Sequence, residues 1–174
     1  MHTDLELVRK GLFEPFGSKV AAIGAFYGDD DEPRHYFTCH FFDSDGSWAM
    51  VTAGHCLRAL LPECNKGNLP GQIFLFDPNS PSGVPLPIRL RFEAIIVIDD
   101  KETKADYGFV PIDEMYSREL AKAGMTPCSL ENVASASEAF EIYYLFGYAW
   151  EHARFDVKQD SISVQTPCTA LRLT

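Results

Sequence analysis

The stretch Val51-Thr52-Ala53-Gly54-His55-Cys56 stands where one kind of structure gives way to another. Upstream, Arg34–Phe42 and Ser47–Thr52 are aromatic and β-branched, and they flank Asp43-Ser44-Asp45-Gly46. An Asp-Gly pair between two such runs predicts a hairpin, because a two-residue turn needs backbone in the left-handed region. Downstream, Cys56–Leu61 fits a helical turn ended by Pro62. His55 is therefore expected at a strand-to-helix junction, with small residues, Ala53 and Gly54, just before it.

Further strands are predicted over Ser18–Tyr27, Gln72–Phe76, Leu86–Phe92, Ala94–Asp99 and Tyr107–Ile112, separated by segments rich in Pro, Gly, Asn and Asp. Residues 4–11 read as a short helix, and Gly28–Pro33 as an acidic loop. Asp113–Ala123 is the clearest helix, with Asp113 as its cap, Gly124 as its end, and Met115, Leu120 and Ala123 on one side. Beyond it, Ala139–Gly147 is strand-like, and Arg154–Val157 with Ser161–Thr166 reads as a hairpin turning at Lys158, Gln159 and Asp160. Short strands at this spacing mean a barrel or sandwich. The fold class is all-β.

Composition narrows the function. The chain has 174 residues, 46% hydrophobic and 23% charged, with 13 Phe, 7 Tyr and 2 Trp, which suits a packed core. Its net charge of −10 and pI near 4.8 would repel nucleic acid and anionic membranes, and no basic patch offsets this. No apolar run reaches the length of a membrane span, roughly 18 residues. The amino-terminal MHTDLELVRKGLF is acidic where a secretory signal is basic, so the expected compartment is the cytoplasm, with the five cysteines reduced.

Val51–Cys56 resembles the histidine signature of chymotrypsin-like (trypsin-like) serine proteases, reached through a hairpin and a strand as Phe41–Val51 would be here. Lys104-Ala105-Asp106-Tyr107-Gly108-Phe109-Val110-Pro111-Ile112 looks like that family's aspartate segment, an Asp leading into a short hydrophobic strand. Tyr144-Leu145-Phe146-Gly147-Tyr148 is similar to the strand that opens the family's second barrel. The resemblance implies a double β-barrel in which His55 is the general base and Asp106 its orienting carboxylate. It also places Cys39 and Cys56 where the family often carries a disulfide, a pair expected only in an oxidising compartment. Asp99 and Asp100 compete with Asp106, but neither leads into a hydrophobic strand.

The nucleophile is what the sequence lacks. The family's serine stands in a Gly-x-Ser-Gly setting that bends the backbone so that N–H groups face the oxyanion. No such motif is present. Ser82-Gly83 lies between His55 and Asp106, where the family has a surface loop, and Ser161 is flanked by Gln159 and Ile162 where glycine is needed. Cys168 is the remaining candidate, since a thiolate is a strong nucleophile, but Pro167 before it contributes no N–H. The segment 132–174 also falls short of the roughly 60–70 residues that a six-stranded barrel requires.

Metals are weaker readings. Cys39, His40, His55, Cys56 and Cys64 are of zinc-ligand type, but strand neighbours such as Cys39 and His40 face opposite ways and no CxxC pair occurs. Asp43-Ser44-Asp45-Gly46 and Asp29-Asp30-Asp31-Glu32 lack the ordered ligand spacing of a calcium loop. No cofactor is expected.

The sequence thus reads as a lead-in over 1–17, a first β-barrel over 18–113 carrying His55 and Asp106, a helical linker over 114–131, and a partial second barrel over 132–174. The implied activity is that of a trypsin-like serine endopeptidase acting on protein or peptide, inactive without its nucleophile. The alternative is a catalytically dead module that pairs strands with a protein partner or with a second copy.

Overall fold

A computed structural model describes residues 17–28, 33–65, 72–76, 86–129, 131, 142–146, 153–156, 161–164 and 168–172. The expected helix at 4–11, the acidic run 29–32, Ser82-Gly83 and the turn 158–160 lie outside these residues.

The architecture is mostly β. Strands β1 (Val20–Phe26), β2 (His35–Ser44), β3 (Ser47–Ala53), β4 (Gln72–Phe76), β5 (Leu86–Pro87), β6 (Ile96–Asp100) and β7 (Ala105–Pro111) lie in one sheet in the order β5-β4-β1-β2-β3-β7-β6. An eighth, β8 (Cys128–Ser129), pairs with β2 in parallel. Helices α1 (Gly54–Asn65) and α2 (Glu114–Lys122) follow β3 and β7. Later in the chain, β9 (Ile142–Phe146) pairs with β12 (Cys168–Arg172), and β10 (Ala153–Asp156) with β11 (Ser161–Val164). The last pairing is the hairpin expected from the sequence.

The β2–β3 turn behaves as its sequence demands. Ser44 pairs with Ser47, leaving Asp45 (φ 53°) and Gly46 (φ 83°) as a two-residue turn with both centres left-handed. The Gly46 N–H donates to Asp43 Oδ1 at 2.8 Å, fixing the register. That register sets everything on β3, because a slip of one residue would exchange its two faces.

β1 is buried on both faces, which accounts for its lack of polar alternation. Ala21, Ile23 and Ala25 join the main core with Phe41, Met50, Leu57, Leu60, Val110, Leu120 and Met125, while Val20 and Ala22 pack with Phe26, Tyr36 and Phe74 on the other side. The buried Thr52 hydroxyl is satisfied by donating to Thr38 O at 2.7 Å.

Three local expectations are corrected. Leu86–Phe92 is not one strand: only Leu86 and Pro87 pair with β4, the Ile88 N–H donates to Ile73 O at 2.8 Å just beyond them, and Phe92–Ala94 is a 3-10 turn. The alternation itself holds, with Ile88 and Leu90 buried and Arg89 and Arg91 exposed. The helix expected to stop before Pro62 instead runs from Gly54 to Asn65, since one forfeited hydrogen bond does not end it. In α2, Leu120 is buried but Met115 and Ala123 are exposed, and Asp113 stands at the cap position without capping, its carboxylate lying 3.4 Å from Arg91.

The end of α2 ties the chain back to its start. Gly124 (φ 93°) reverses the backbone so that the Met125 N–H reaches Leu120 O at 2.9 Å, a Schellman closure that buries Met125. The Thr126 N–H then donates to Ser18 O at 2.9 Å, just ahead of β1.

Candidate functional site

The site forms where β3 ends. Antiparallel pairing sets Ala53 opposite Tyr107, so the first turn of α1 rises directly beside the start of β7. This brings together His55 and Asp106, 51 residues apart in sequence.

Two glycines make that approach possible. A Cβ on Gly54 would lie 2.7 Å from Asp106 Oδ1, 2.9 Å from Tyr107 O and 3.1 Å from Val97 Cγ1. A Cβ on Gly108 would run into the Leu57 side chain. Helix and strand therefore touch through missing side chains, and Leu57 fills the space that Gly108 leaves open.

Asp106 is held at both oxygens. Oδ2 lies 2.5 Å from His55 Nδ1. Oδ1 accepts the His55 backbone N–H at 3.0 Å and Arg58 Nη2 at 2.9 Å. A carboxylate only accepts, so Nδ1 carries the proton, and in the neutral ring Nε2 is then the acceptor. The imidazole is 67% exposed and the Asp106 side chain 33%, so the acceptor nitrogen is open to a reacting group while its orienter is partly covered. This is the arrangement a general base needs: fixed tautomer, fixed ring, and a carboxylate to stabilise the imidazolium.

The hydrogen bond from His55 holds the Asp106 carboxyl below its ordinary range, and the bond and charge of Arg58 outweigh, together with it, the opposing effect of partial burial. A group whose folded value is depressed stabilises the fold fully above its unfolded value of about 4, and loses that contribution as pH falls through the folded value. The stability difference between wild type and Asp106→Asn is thus expected to be present at about pH 5 and to shrink below about 4. Urea melts of both proteins at matched pH would show this; a difference that persists unchanged to pH 2 would contradict it.

The other sequence-level residues separate cleanly. Asp99 and Asp100 do not orient the histidine: Asp99 pairs with Arg58 Nη1 at 3.1 Å, and Asp100 caps its own turn through the N–H of Glu102 and the hydroxyl of Thr103. Cys39 and Cys56 carry free thiols. The Cys39 thiol is in the core beside the Ala21 backbone, and that of Cys56 is hydrogen-bonded with Thr52. Burial raises both thiols above the ordinary range, which disfavours the thiolate form. Cys39 is buried and His40 exposed, as strand geometry requires, and among the described residues no group of three His, Cys, Asp or Glu could hold a metal.

Cys168 opens β12 opposite Phe146, in extended backbone. Among the described residues no hydroxyl or thiol is hydrogen-bonded to His55 Nε2. Arg58 was not anticipated; its signal was its place one helical turn after His55, on the same face. No protein-family model, curated protein or solved structure matches the chain.

Proposed function

We propose that the chain carries the general-base half of a trypsin-like serine endopeptidase site, built on a chymotrypsin-like double β-barrel with a complete first barrel and an incomplete second. The observation that carries this reading is the contact between His55 Nδ1 and Asp106 at 2.5 Å, on an imidazole that is 67% exposed. The strand order is compatible with it: β1-β2-β3 followed by β7-β6 on one side, with β4 and β5 on the other, leaves β5 and β6 as the two edges that a barrel would join.

In that chemistry Nε2 takes a proton from a serine hydroxyl as its oxygen attacks a peptide carbonyl, and Asp106 stabilises the resulting imidazolium. The same proton then passes to the leaving amine, and water repeats the sequence on the acyl group. The chain supplies base and orienter but no recognisable Gly-x-Ser-Gly nucleophile, so this protein by itself is proposed to be inactive.

The second reading is a protease-like module that binds strands instead of cleaving them. It is favoured by β6, the last strand in the sheet order, where Ile96 and Ile98 are 57% and 44% exposed beside an exposed Tyr107. A second copy or an extended protein segment is the partner such an edge would take.

A fluorophosphonate probe tests the reading. No covalent labelling of the 174-residue protein is expected. Labelling that disappears in His55→Ala would reveal a working serine and overturn the proposed inactivity, and labelling that survives the substitution would overturn the role of His55.

A further inference from the structure

Asp99 and Asp106 are cross-strand partners in the β6–β7 ladder, on the face that carries Val97 and Gly108 towards α1. Like charges directly opposite one another destabilise a sheet. One cation meets both. Arg58 Nη2 donates to Asp106 Oδ1 at 2.9 Å, while Nη1 lies 3.1 Å from Asp99 Oδ2.

Resting on the dyad reading above, we propose that Arg58 is a positioning residue: its guanidinium offsets the two facing carboxylates and holds Asp106 with Oδ2 turned to His55. Oδ1 of Asp106 is occupied by Arg58 and by the His55 backbone N–H, which leaves Oδ2 as the oxygen for Nδ1. A planar, delocalised guanidinium suits this role because Nη2 hydrogen-bonds Asp106 while Nη1 stays beside Asp99 as an ion pair without a hydrogen bond, whereas an ammonium is a single point charge. The helix supplies the placement: residues three apart lie on one face, so His55 and Arg58 grip the same carboxylate from adjacent turns.

The charged and titratable groups around Asp106 are few. From α1 they are His55, Arg58 and the Cys56 thiol, and from β6 Asp99; the facing residues of β3, Met50 and Thr52, are uncharged. Substitutions at Arg58 and Asp99 therefore have opposed signs.

The test is a carboxyl carbon NMR titration of Asp106 in the full chain, with the Nδ1–H proton of His55 followed in the same samples. Arg58→Gln is expected to raise the Asp106 midpoint by about half a unit to one unit and to weaken the Nδ1–H resonance. Arg58→Lys keeps the charge and should hold the midpoint between those of wild type and Arg58→Gln. Asp99→Asn removes the facing charge while leaving an acceptor for Arg58, and should lower the midpoint.

A folded Arg58→Gln protein with unchanged midpoint and unchanged resonance overturns the proposal. So does an Asp99→Asn midpoint that rises or stays, and that variant decides the matter if Arg58→Gln does not fold. Failure of the dyad reading looks different: the wild-type Nδ1–H resonance would be absent, or would survive His55→Ala.

Discussion

Gly54→Ala is expected to destabilise the protein by about 2 kcal/mol and to break the contact between His55 and Asp106. Alanine at this position gains helix propensity, up to about 1 kcal/mol in a helix interior and less at its first residue. The gain is outweighed by where the methyl group goes. Its carbon would lie 2.7 Å from Asp106 Oδ1 and 2.9 Å from Tyr107 O. The carboxylate can rotate away only by releasing the His55 N–H and Arg58 Nη2 bonds that Oδ1 now accepts. The carbonyl cannot move independently, because Tyr107 is fixed between Ala53 of β3 and Ile98 of β6. Relief must come from lifting the start of α1, which carries His55 with it. The checks are a urea midpoint and the His55 Nδ1–H resonance: the midpoint falls and the resonance is lost, while far-ultraviolet circular dichroism stays β-rich. A variant that keeps both would show that helix and strand can separate at this point without cost.

The same close approach marks the limit of what the sequence discloses. The hairpin at Asp43–Gly46 and the strand-to-helix junction at His55 were legible, because turn chemistry and hydrophobic patterning act over a few residues. The main β sheet and the β10–β11 hairpin follow from the same signals. What escaped was tertiary. α1 continues through Pro62 to Asn65, where a proline in the sequence reads as a stop. Met115 was placed inward by spacing alone, yet α2 turns only Leu120 fully into the core and leaves Met115 exposed. β8, two residues long and parallel to β2, has no local signature and depends on the Gly124 reversal that brings Thr126 to Ser18. Arg58 has no signal of its own in the sequence: an arginine in a helix reads as solvated until the strand register places two carboxylates beneath it.

Leu57→Ala is expected to cost about 4 kcal/mol, towards the upper part of the range for buried leucines. The loss depends on how far the surroundings can close into the cavity, and here they have little to close with. Leu57 is fully buried and packs against Gly108, which has no side chain to advance into the space. The alanine's higher helix propensity returns only a few tenths of a kcal/mol. Against a typical stability of about 5–15 kcal/mol, such a loss leaves the fold marginal. The damage should also reach the site, since Leu57 is the contact that presses the first turn of α1 onto β7 between His55 and Arg58. A lower urea midpoint with unchanged slope, accompanied by broadening of the His55 Nδ1–H resonance, is the expected result. Leu57→Met keeps most of the volume and should cost less than about 1.5 kcal/mol, with the resonance retained. Equal losses for the two variants would mean that the position is sensitive to shape rather than to the cavity. A Leu57→Ala protein with an unbroadened resonance would mean that Arg58 and the His55 backbone N–H hold Asp106 in place without the packing beneath them.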